Sequence, residues 1–108
     1  MIGSMALTLV AALTAPIVSE TIDVDRIGRV DLKSFTCSDT PRSTVIQRVC
    51  YARPQRVMIV SLRGDYRASC GMPPNLYRNF ITADSMGSFY SHAIGDNPVF
   101  RCHAPLQR

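Results

Sequence analysis

The chain has 108 residues, four cysteines and a net charge of +4 at pH 7 from 12 basic and 8 acidic side chains. That length allows one domain at most. The bases, all arginine except Lys33, are scattered along the chain, which excludes a dense basic tract.

The chain opens on an apolar run, residues 1–18, with no charged side chain; Ser19 and Glu20 follow. This reads as the hydrophobic region and processing site of a secretory signal peptide over residues 1–19, although no Lys or Arg precedes it. Pro16 breaks the run, which is too short to span a bilayer comfortably. Cleavage after Ser19 fits better than cleavage after Ala15, which would leave Pro16 next. The expected location is periplasmic or secreted, with no membrane span after cleavage.

The remaining chain hides only roughly 60–65% of its unfolded surface on folding, so its core is marginal. Cys37, Cys50, Cys70 and Cys102 all follow the leader, and their number is even. In an oxidising compartment they read as two disulfides. Zinc and redox sites favour close pairs such as Cys-x-x-Cys, and this spacing is wide.

Residues 20–42 read as an extended polar leader, with Ile22, Val24 and Ile27 in no clear period. Val30-Asp31-Leu32 alternates briefly, and Asp39-Thr40-Pro41 is turn chemistry. Residues 43–51, rich in β-branched side chains, predict a strand that Pro54 ends. Residues 56–62 predict a central strand, with Met58, Val60 and Leu62 facing one way and Val57, Ile59 and Ser61 the other. Arg63-Gly64-Asp65 matches an adhesion tripeptide but sits where a hairpin needs a short turn with Gly. Residues 65–70 supply a third strand. Pro74 opens a helix with Leu76, Tyr77, Phe80 and Ile81 on one side. Asp84 or Ser85 caps a second helix, on which Met86, Phe89, Tyr90 and Ala93 form an apolar stripe. The expectation is an α+β fold: a three-stranded antiparallel meander followed by two helices packed on the sheet, stapled by two disulfides. The domain proper covers 43–102, and 103–108 is a tail.

In such a meander Cys50 and Cys70 end the outer strands, ~9–10 Å apart. A disulfide needs Cα atoms within about 7 Å. Two pairings remain: Cys37–Cys50 with Cys70–Cys102, which is preferred, and Cys37–Cys70 with Cys50–Cys102.

This order of elements, with Tyr51, Tyr66, Pro73 or Pro74, and the segment Ala83, Ser85, Gly87, Phe89 and Tyr90, resembles the KTSC domain over about residues 43 to 100. That family is named for a segment at the C-terminus of some lysyl-tRNA synthetases. Val30-Asp31-Leu32, Cys50-Tyr51 and Cys70 resemble a secreted, four-cysteine branch seen in alphaproteobacterial proteins. The family's Tyr-x-Tyr is met only by Tyr66, because Ala68 stands at the second position. Its link to a tRNA synthetase implies nucleic-acid binding, which would need aromatic stacking and arginine contacts to phosphate.

The residues point to no enzyme. His92 and His103 have no partner at catalytic or metal spacing, no nucleophile elbow is present, and no cofactor or metal is implied. The function expected is a small secreted or periplasmic binding module that contacts an envelope or extracellular protein. Its alternative is a basic module for nucleic acid or another polyanion. Tyr51, Arg56, Arg63, Tyr66 and Arg67 are the candidate binding surface.

Overall fold

The computed structural model describes residues 19–103 and Leu106. The expected signal peptide therefore lies almost wholly outside the described residues, as do four of the last five residues of the tail.

The core of the sheet is β4 (Ile46–Ala52), β5 (Val57–Leu62) and β6 (Asp65–Ser69), antiparallel neighbours in that order. β5 is buried at Val57 through Ser61, because both of its faces are covered. Gln47 is an extra residue in β4, since Ile46 pairs Leu62 while Arg48 pairs Ser61. Its side-chain oxygen accepts hydrogen bonds from the Gly64 amide and the Ser61 hydroxyl, tying the bulge to the β5–β6 turn.

The expected three-stranded antiparallel meander is corrected on one main point. Among the described residues the sheet has six strands in the order β2-β1-β6-β5-β4-β3 and is mixed, because β1 runs parallel to β6 through Val24 and Tyr66. β1 (Thr21–Val24), β2 (Gly28–Asp31) and β3 (Thr36–Asp39) come from the stretch read as a leader. Each is only four residues long, and charged or polar side chains fill the alternate positions. In a short strand such alternation is one buried side chain repeated once, too weak a period to stand out.

The β1–β2 hairpin supplies a second core. Ile22, Val24, Val30 and Leu32 pack with Cys50, Val57 and Ile59 on the sheet face that the helices leave open. Leu106 joins this cluster from the tail. At about 25 cal/mol per Å2 of apolar surface, each such side chain contributes ~1.5–3 kcal/mol, which explains why so small a chain folds its leader inward.

The other face carries α1 (Pro74–Ile81) and α2 (Met86–Phe89). Pro74 stands at the first helical position of α1, where its missing N–H costs nothing. Ser85 caps α2 by accepting from the Ser88 amide. Beyond Phe89 the coil widens into a π-helix, Tyr90–Gly95. Phe80, Met86, Tyr90 and Ile94 descend from these helices onto Met58 and Val60.

Two disulfides form, Cys37–Cys50 and Cys70–Cys102. Cys37 and Cys50 face each other directly across β3 and β4, with Cα atoms 4.0 Å apart. Cys70–Cys102 pins the chain end beside β6, next to a hydrogen bond from the Cys70 amide to the Phe100 carbonyl.

A candidate binding cleft lined by arginine

The five residues expected to form a binding surface do not converge. Tyr51 is buried in the helix-side core: its hydroxyl donates to the Met72 carbonyl at 2.7 Å, and its ring stacks on Tyr77 at 4.1 Å. Burial pushes both phenols up from their ordinary pKa. Arg56 and Arg63 are exposed at turns on opposite ends of β5. Tyr66 and Ala68 face the β1–β2 hairpin. The strand position that would stack bases is thus a half-buried contact within the fold.

Sequence reasoning missed Arg48. Its two terminal nitrogens donate to the two Glu20 oxygens, each at 2.7 Å, and one also donates to the Tyr66 hydroxyl at 3.3 Å. These bonds raise the guanidinium's pKa and hold the Glu20 carboxyl below its ordinary value. The signal was present in β4, where Arg48 shares the face of Cys50 and interrupts an apolar strand.

Arg67 lies on the opposite face of β6 and lines a cleft of about 290 Å3. The tip of the β1–β2 hairpin contributes Asp25 and Arg26, the π-helix contributes Tyr90, and the terminal loop contributes Asp96 and Arg101. Tyr90 is a buried phenol with its pKa raised by burial; Arg67 opposes that shift and Asp96 adds to it, so both charges act on this ring. The π-helix sets the ring's position. A Cβ on Gly95 would stand 2.8 Å from the Tyr90 ring, so the ring lies over a residue that must lack a side chain. Arg26 enters the cleft from a left-handed backbone, φ 67°, a conformation costly for an L residue other than Asn or Asp.

The guanidinium groups of Arg26, Arg67 and Arg101 make no hydrogen bond or ion pair among the described residues, where the ion pair formed is Arg48–Glu20. A second opening, about 390 Å3, holds Arg42, Arg63, Asp84, Ser88 and His92. It has the residue types of a hydrolase but not their geometry. His92 Nδ1 lies 2.8 Å from the Ser88 carbonyl, which only an N–H can satisfy, and 3.3 Å from the Ser88 hydroxyl. Nδ1 therefore carries the proton and does not accept one from Ser88. Arg42 is occupied by the Ile81 and Ala83 carbonyls. Among the described residues no group of three metal-ligating side chains assembles, and no helix is long and apolar enough to cross a membrane.

The fold defines a small α+β domain, a mixed sheet covered by helices on one face and by its own hairpin on the other, with an arginine-lined cleft at one side. The KTSC domain family matches residues 42–97, just over half of the chain, and the protein belongs to that family. It is similar in fold to the crystal structure of a KTSC domain protein from Yersinia pestis, at 22% identity and a TM-score of 0.55, over 58% of this chain and 89% of that one. None of the curated proteins compared with it matches. The family match begins at residue 42, so β1, β2 and β3 lie ahead of it, as do Arg26 and half of the Cys37–Cys50 disulfide.

Proposed function

We propose that the protein is a small extracytoplasmic binding module that engages another envelope or extracellular protein through the arginine-lined cleft. The observation that carries this reading is that three arginines whose guanidinium groups have no hydrogen-bond or ion-pair partner among the described residues line one cleft. Two disulfides and the apolar run at residues 1–18 support an oxidising compartment. They also fit the secreted, four-cysteine branch of the family. With cleavage after Ser19 the new first residue, Glu20, is already fastened by Arg48 and by the Leu32 amide.

Both sheet faces are covered, which turns the binding surface from a sheet face to a side of the domain. The polyanion reading draws on the exposed turn arginines, Arg56 and Arg63. Salt separates the two, because phosphate-driven binding falls steeply as salt rises. A pull-down with the tagged, oxidised protein from an envelope extract retains a protein partner in high salt if the first reading holds. Binding lost entirely in high salt and replaced by oligonucleotide would favour the second.

A further inference from the structure

Resting on the binding-module reading, we propose that the cleft recognises a carboxylate group that carries N–H donors beside it, as the acidic end of a peptide does. Arg26, Arg67 and Arg101 offer forked donors, whose planar geometry matches a carboxylate in two parallel hydrogen bonds. Asp25 and Asp96 line the same space as acceptors. A ligand with anion and donors together satisfies both sets. A bare polyanion strand would instead meet two carboxylates, so the acidic lining argues against nucleic acid. The volume, about 290 Å3, is at the lower end for small-ligand sites and admits a residue or two rather than a long chain. Pro98 and Phe100 line the same space and add apolar contacts to it.

The test uses amide spectra of the oxidised protein titrated with the dipeptide Ala-Glu, with its fully amidated counterpart, and with a short oligothymidylate. Saturable shifts at Arg67, Tyr90, Asp96 and Arg101 with Ala-Glu but not with the amidated form are expected. Arg67→Gln should weaken that binding roughly tenfold or more, and Arg67→Lys, which keeps the charge and loses the fork, should recover only part of it. The proposal is overturned by equal shifts from the amidated dipeptide, by shifts that avoid the cleft, by no saturable shift, or by cleft shifts with the oligothymidylate alone. If an envelope partner is captured and its binding survives Arg67→Gln, this assignment fails and the binding-module reading stands only for a surface other than this cleft.

Discussion

Arg48, on the strand next to one edge of the sheet, holds Glu20, 28 positions earlier, through two parallel 2.7 Å hydrogen bonds. The pair fastens the start of the β1–β2 hairpin across the face that the hairpin covers. Its side chains are 24% and 49% exposed, so it contributes orientation more than stability.

The Glu20 pKa is lowered by this partner, so its contribution is fully present above the ordinary value of 4.5 and is lost as pH falls through the depressed one. Amide exchange at Val24 and Val30 should accelerate in that acid window while exchange at Met58 stays slow. In Glu20→Gln the acid step should disappear, with exchange at Val24 raised at all pH values.

Tyr51→Phe keeps the stack on Tyr77 but leaves the buried Met72 carbonyl without its donor. A loss of about 1–3 kcal/mol in urea unfolding is expected. An unchanged midpoint would mean that water replaces the hydroxyl.

Gly95→Ala forces a methyl against the Tyr90 ring. Overpacking of this kind costs roughly 1–3 kcal/mol. It should also displace the ring, seen as altered Tyr90 resonances and a raised dissociation constant for any cleft ligand.

Arg63 holds a left-handed backbone, φ 52°, in a two-residue turn with Gly64 at φ 92°. Asn is the favoured residue there. Arg63→Asn should stabilise the protein, by up to ~1 kcal/mol out of the ~1–2 kcal/mol that a left-handed L residue costs. Thermal unfolding checks the sign.

The disulfides close separations of 13 and 32 residues. Chain-entropy arguments assign them about 3 and about 4 kcal/mol respectively. Cys70→Ser with Cys102→Ser should therefore destabilise more than Cys37→Ser with Cys50→Ser. The opposite order in urea unfolding would point to compensation within the folded terminal loop.

What was legible in the sequence follows the strength of the local signal. β5 announces itself by six consecutive apolar or small residues, and α1 by Pro74 and a four-residue apolar side. Strand spacing rules out Cys50–Cys70 and leaves two pairings, of which the preferred one, Cys37–Cys50 with Cys70–Cys102, is the one that forms. The hairpin escapes notice because Ile22 and Val24 alternate only once before Asp25, and because its turn is built on Arg26 in a glycine-like conformation. Val24 and Tyr66 then meet through a parallel pairing that no local pattern encodes. The cleft was invisible for the same reason, since Arg26, Arg67 and Arg101 come from three separate elements. Arg67 alone was picked out, for its place beside Tyr66. Its side chain goes to the face opposite that tyrosine.

The most direct measurement is site-specific photo-crosslinking in intact envelopes, with the probe at the exposed Val99, between the cleft-lining residues Pro98 and Phe100, and a control at Asn75, exposed on α1 and outside the cleft lining. The account predicts a discrete protein adduct from position 99 that is lost in Arg67→Gln and absent from position 75. Equal adducts from both positions, or an adduct at 99 indifferent to Arg67, would contradict it.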